Sequence, residues 1–271
     1  VPAVAPTAEF LDWSAEGADE TNLEDGFTQD TGVMDVTVSY QNDGKGNNFS
    51  VETGEQQFVD SGEPYNSYSS AQLGGEGNGA FSTTTIDFEA NTAGYGSSVE
   101  NVHFRLSDVD NDNHVDNVKV FAYDADGNAI PVTLSQTSNG NDTVMGNQVV
   151  GAGGSDTHAD ESGSVLVEIT GPVARIEIVY QNDGISTAVI GVSDVHFDTL
   201  QATDDDVMTG AEIEGVISGR NSVDCDEAAG ATRIKRLRDT LGNQLVSELL
   251  VKNIARRGYI LSIDKDVIRV I

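Results

Sequence analysis

The sequence predicts an all-β protein, an antiparallel, jelly-roll-like β-sandwich with a small α+β C-terminal appendage. Three observations carry that expectation. Apolar and β-branched residues alternate with polar ones in short runs from residue 33 onward. Gly- and Asp-rich turns separate those runs at the spacing of about 8 to 12 residues that sandwiches use. Finally, the charge and the periodicity both change character near residue 210.

The predicted strands follow in order. VMDVTVSY at 33–40, FSTTTIDF at 81–88 and VENVHFRL at 99–106 each put apolar side chains on one face and polar ones on the other. NVKVFAY at 117–123 and AIPVTLS at 129–135 flank Asp124-Ala125-Asp126-Gly127-Asn128, a hairpin signal because Gly127 tolerates positive φ and Asp side chains bond turn backbone. SVLVEIT at 164–170 and VARIEIVY at 173–180 are joined through Gly171-Pro172, and VSDVHFDTL at 192–200 is the last predicted strand. Two short echoes accompany them: Tyr40-Gln41-Asn42-Asp43-Gly44 with Tyr180-Gln181-Asn182-Asp183-Gly184, and Val102-His103-Phe104 with Val195-His196-Phe197. Similar strand ends using similar turns account for both.

Past residue 202 the pattern breaks. Residues 1–30 form an N-terminal segment, 31–202 the acidic sandwich, 203–230 a Gly-, Ser- and Asp-rich linker, and 231–271 a small basic helix-helix-hairpin region. Helical spacing places Ile234, Leu237 and Leu241 on one face over 231–241, and Leu249, Leu250 and Ile254 on another over 245–254. Residues 260–271 then alternate like a strand or hairpin. Ten of the 14 basic residues but only nine of the 45 acidic ones follow residue 210, so residues 1–210 net 4 minus 36, or -32, and the remainder 10 minus 9, or +1.

Self-repulsion on that scale opposes a compact state unless cations screen it. Cys225 is the single cysteine and excludes an intramolecular disulfide. No apolar run reaches the roughly 20 residues a membrane-spanning helix needs. The small, Pro-rich start VPAVAPTAEF suits a chain exported behind a removed signal peptide, so a secreted, extracellular protein is expected. No nucleophile-elbow serine, HExxH pair or phosphate loop occurs, and the expectation is a non-enzyme.

The densest chemical signal is the run from Asp108 to Asn117, where acids alternate just after a predicted strand. Calcium takes six to eight oxygens, and such a run on an exposed loop aims several carboxylates at one centre. Asn113 stands where an EF-hand needs Gly and Lys119 where it needs a bidentate Glu, so the loop is not an EF-hand. The expected Ca2+ ligands are Asp108, Asp110, Asp112 and Asp116, completed by Asp198 on the last strand, with Asp194, Asp25 and Asp30 as further candidates because terminal strands of a sandwich lie together. The segment 74–81 approximates one calcium-binding nonapeptide, but Gly79 replaces its Asp and one imperfect copy cannot build a β-roll. Four scattered histidines make a transition-metal site unexpected. Tyr65 and Tyr68, in the loop GEPYNSYSS, offer aromatic faces to a sugar ring, which makes extracellular polysaccharide or a cell-surface component the expected partner.

FRLSDVD at 104–110, DNVKVFAYDADGNAIPVTLS at 116–135 and the segments over 163–200 resemble the sandwich modules of calcium-rich, type I-secreted bacterial surface proteins that stand beside RTX repeats. The resemblance implies an extracellular adhesive or structural module with Asp108 and Asp110 near a cation; the RTX array itself is absent. In the tail, Arg236-Leu237-Arg238 with Leu241-Gly242, then Asn253-Ile254 with Gly258-Tyr259, is similar to the recognition helix and wing of response-regulator winged-helix domains. That likeness covers only the second half of such a domain. It implies an alternative role in DNA binding, through Arg233, Lys235, Arg236, Arg238, Arg256 and Arg257.

Overall fold

A computed structural model of the chain describes residues 5–202, 251–254 and 258–261. Sixteen strands build the first part: β1 (Ala8–Leu11), β2 (Phe27–Asp30), β3 (Met34–Asn42), β4 (Asn48–Glu52), β5 (Ser70–Gly75), β6 (Ala80–Ala90), β7 (Tyr95–Ser107), β8 (Asp116–Tyr123), β9 (Ala129–Ile130), β10 (Thr133–Gln136), β11 (Thr143–Met145), β12 (Gln148–Val150), β13 (Val165–Ile169), β14 (Arg175–Asn182), β15 (Ala188–Ser193) and β16 (Val195–Gln201). They form two eight-stranded antiparallel sheets. The first runs β1-β16-β7-β15-β5-β4, with β13 on β7 and β10 on β13; the second runs β11-β12-β8-β14-β6-β3-β2, with β9 on β8.

Alternation decides which residues meet between the sheets. Val102, Phe104 and Leu106 of β7 and Val195 and Phe197 of β16 pack against Val118, Val120, Ile176, Ile178, Ile86 and Val36 of the second sheet, forming one apolar cluster. The N-terminal segment is part of the fold, because a short 3-10 helix, Trp13–Glu16, buries Trp13 against the rings of Phe27 and Phe49.

Two predicted strands are divided. The run at 129–135 splits at Pro131, which cannot donate to a ladder: β9 pairs β8 in the second sheet, and β10 pairs β13 in the first. The run at 192–200 splits at Asp194, whose carboxylate turns inward to accept from the Trp13 N–H at 3.1 Å and the Ser69 hydroxyl at 2.5 Å.

The Tyr-Gln-Asn-Asp-Gly echo has a spatial meaning. β3 and β14 lie on either side of β6, and each ends with the Asn side chain accepting from the Gly N–H two residues on, at 2.8 Å for Gly44 and 3.0 Å for Gly184. Each chain then crosses to the first sheet, where β4 and β15 flank β5. The same turn is used twice around one β5–β6 corner.

The two sheets differ on their outer faces. A strap over residues 53–69 covers the first sheet: Arg105, on the outer side of β7 and 3% exposed, holds both oxygens of Glu63 at 2.7 and 2.8 Å with Phe58 over its guanidinium. The outer side of the second sheet carries the polar half of each alternating strand and stays wet.

In the C-terminal part, β17 (Val251–Ile254) pairs antiparallel with β18 (Gly258–Leu261), Val251 opposite Leu261 and Ile254 opposite Gly258. Residues 251–254 are therefore strand, not the end of the helix the spacing predicts; β-branched Val251 and Ile254 favour the extended chain. The helix at 231–241, the linker at 203–230 and residues 262–271 lie outside the described residues.

Candidate metal centre

The loop from β7 to β8 is shaped by its neighbours. Asp108 and Asn113 take positive φ, 61° and 63°, so side chains along the loop leave the strict alternation of a strand. The Val109 N–H donates to the Gly163 carbonyl at 3.1 Å, and the Asp116 N–H to the Asp110 carbonyl at 3.1 Å, folding the acids back on themselves. Gly151 and Gly184 press against this loop so closely that a Cβ on either would meet Asp110 or His114 backbone at 2.0 Å.

Of the expected ligands, Asp110 and Asp116 converge. Their third companion is His114: one donor atom from each of the three lies within 4.8 Å of the other two. His114 Nε2 hydrogen-bonds Asp110 Oδ1 and lies 3.7 Å from Asp116 Oδ2. Tyr180, fully buried on β14, donates its hydroxyl to Asp116 Oδ1 at 2.8 Å, and the Asp110 N–H reaches Asp116 Oδ2 at 3.2 Å. Asp156 brings a third acid, its backbone N–H donating to Asp110 Oδ2 at 2.7 Å.

Burial dominates the electrostatics. It pushes the Asp116 carboxyl up to about 7, against the opposing pull of its Tyr180 and Asp110 hydrogen bonds. Asp142 is likewise pushed up to about 7 by burial, with Asp156 and Asp110 adding like charge. Asp142 Oδ2 and Asp156 Oδ2 are buried and, among the described residues, accept no hydrogen bond. Crowded carboxylates with orphaned oxygens are what a hard cation corrects, and a bound ion would invert the pKa logic of the cluster. The residues present fit one, with Asp110 and Asp116 as oxygen donors and His114 as a nitrogen donor.

The other expected ligands are elsewhere. Asp108 Oδ2 is 3.0 Å from Nδ1 of buried His158; burial works against charge on that ring, but the Asp108 carboxylate outweighs it and raises its pKa. Asp112 is exposed and accepts from the neighbouring Asn113 amide at 3.0 Å. β1 and β16 do pair, with Ala8 opposite Asp198, but Asp198 accepts from Asn101 at 2.9 Å. From Asn101 to Asp108 the strand β7 covers about 20 Å, which removes Asp198 from the centre. Asp194 is buried under Trp13, and Asp30 lies on β2 at the far edge of the second sheet from β11. The segment 74–81 is the β5–β6 corner. Positive φ at Gly77, Asn78 and Gly79 lets its backbone meet Gly184 and Asn182, which explains its glycines without calcium.

Sequence reasoning missed His114. The signal was present, in an imidazole four residues past one acid and two before another inside the densest acidic run. It also missed Asp142 and Asp156, which the fold brings in from the segment between β10 and β13.

The expected sugar-binding tyrosines part company. Tyr65 is 7% exposed, hydrogen-bonded to His103 Nδ1 at 2.8 Å and set edge-on to the rings of His103 and His196. Tyr65 is thus buried, whereas Tyr68 is exposed. His103 and His196, the second sequence echo, stack at 5.5 Å on adjacent strands beneath it. Arg233, Lys235, Arg236, Arg238, Arg256 and Arg257 lie outside the described residues, and no described helix is long and apolar enough to cross a membrane.

No family model and no curated protein matches the chain. Among solved structures it is similar to the enzymatically active domain of bacteriophage CBA120 tailspike protein 4, at 13% identity and a TM-score of 0.31, over 59% of this chain and 19% of that one. It is also similar to a carbohydrate-binding module with specific mannan recognition, at 10% identity and a TM-score of 0.35, over 74% of this chain and 100% of that one. A third likeness, at 12% identity and a TM-score of 0.32 over 74% of this chain and 100% of that one, is to the K1 cleaved adhesin domain of Lys-gingipain from Porphyromonas gingivalis.

Proposed function

We propose that this chain is an extracellular binding module, adhesive or glycan-directed, whose β-sandwich is stapled by a Ca2+ ion at the β7–β8 loop. The observation that carries the reading is the convergence of Asp110, Asp116 and His114, next to Asp156 and Asp142, each of which has one buried oxygen without a hydrogen-bond partner among the described residues. Holding that many acids together without a counter-charge costs stability, and a divalent ion removes the cost while tying β8 to the loop before β13. Carboxylate oxygens favour calcium; the imidazole is the one donor that would favour a borderline ion such as zinc.

Calorimetric titration tests this. The chain should bind Ca2+ at one site, Asp110→Asn should weaken binding at least tenfold, and Asp112→Asn, in the same loop but outside the cluster, should leave it unchanged. Equal losses from both variants would reduce the site to general acidity, and Zn2+ binding without Ca2+ binding would hand the centre to His114.

A further inference from the structure

The strap covers part of the first sheet, and among the described residues the outer side of the second is an open sheet face. Its register sets three rows across neighbouring strands. Tyr123, Arg175, Asp87 and Thr37 form the first, Phe121, Glu177, Thr85 and Ser39 the second, and Lys119, Val179, Thr83 and Gln41 the third. At the end of the first row the β8–β9 turn rises beside the sheet and closes a groove of about 370 Å³, lined by Tyr123, Arg175, Asp87 and Glu177. That size is within the roughly 300–1,000 Å³ of small-molecule sites.

The groove is built, not incidental. Asp124 spends its carboxylate on the turn, accepting from the Asp126 and Asn128 N–H groups at 3.0 and 2.8 Å, so the wall is rigid. Tyr123 is held by its hydroxyl, which donates to Glu177 Oε2 at 3.3 Å. Arg175 is held by its Nε–H on Asp87 Oδ1 at 2.7 Å, a bond that takes one of five guanidinium donors. An aromatic ring, a fork of donors and two carboxylates thus sit side by side on a stiff sheet.

We propose that this groove binds a neutral sugar ring of a polysaccharide, the apolar C–H face on Tyr123 and adjacent hydroxyls shared among Arg175, Asp87 and Glu177. The proposal rests on the binding-module reading above and gives it a ligand class and a place. Charge selects the class. The lining carries three acids against one base, on a chain of net charge -31, so uronates, sulfated glycans and nucleic acids are repelled. A neutral pyranose presents what the lining lacks, hydroxyls that donate to carboxylates and accept from a guanidinium, together with a weakly polar face for an aromatic ring.

Affinity electrophoresis of the full chain tests it, in gels containing dextran, galactomannan or xyloglucan, with polygalacturonate as the charged counterpart. The wild type should be retarded by at least one neutral polymer and not by polygalacturonate. Tyr123→Ala should weaken that retardation at least tenfold, Tyr123→Phe should keep most of it, and Tyr68→Ala should leave it unchanged, each variant first matched to wild type by near-ultraviolet circular dichroism. Retardation that survives Tyr123→Ala would overturn the groove while leaving a glycan-binding module. No retardation by any neutral polymer, or retardation by polygalacturonate alone, would overturn the ligand class. Loss of calcium binding in the titration above, with sugar binding intact, would overturn the stapled module and spare the groove.

Discussion

Asp194 shows how much one buried acid matters here. Burial pushes its carboxyl up to about 7, although the Ser69 hydroxyl and the Trp13 N–H both bond it and pull the other way. The folded state therefore holds this proton more tightly than the unfolded chain, so stability from Asp194 is fullest below about pH 4 and is lost as pH rises toward 7. Asn at this position can accept the same two bonds and cannot ionise. Urea unfolding of Asp194→Asn should accordingly show little gain at pH 4.5 and a gain on the order of 2 kcal/mol at pH 8. A gain of equal size at both values would assign the effect to packing. The composition shows that acids are many, yet Asp194 stands in an alternating run like any solvent-facing strand residue. Its burial is visible only once Trp13 and Ser69 are known to close over it.

Strands that alternate cleanly, such as β3, β6, β8 and β14, were legible because one side of the second sheet is wet. β5 and β15 were hidden for the opposite reason. The strap and the loop carrying His158 cover the outer side of the first sheet, so Ser70, Ala71, Gly191 and Ser193 are small, buried residues that show no alternation. The strap itself has no period to read, and its anchor is an ion pair between residues 42 positions apart. Arg105 is buried with its charge satisfied by Glu63 and by the Ser164 hydroxyl at 3.1 Å. Removing one partner of such a pair leaves an uncompensated buried charge, and Glu63→Ala should cost about 3 kcal/mol in urea unfolding. It should also make the 53–69 segment the first site of limited proteolysis. A surface-like cost below about 0.5 kcal/mol would mean that the strap is held elsewhere.

Across the whole molecule, the acidic charge and the single cysteine lead to the proposal of a cation, and the run from Asp108 to Asn117 to the place proposed for it. Which acids converge was harder to read because it depends on tertiary folding. Positive φ at Asp108 and Asn113 redirects the loop, His158 claims Asp108, and Asp142 and Asp156 arrive from a distant segment. The stapled loop, and with it the proposed calcium-dependent module, hangs on whether an ion neutralises that cluster. The most direct measurement is a calorimetric melt of the full chain in saturating Ca2+ and again in excess chelator. At about 100 times the dissociation constant, binding to the folded state alone adds about 2.7 kcal/mol, which in a protein of this size raises the midpoint by about 5–10 °C. That rise, absent in Asp110→Asn, is the predicted result; a midpoint indifferent to calcium and chelator would contradict it.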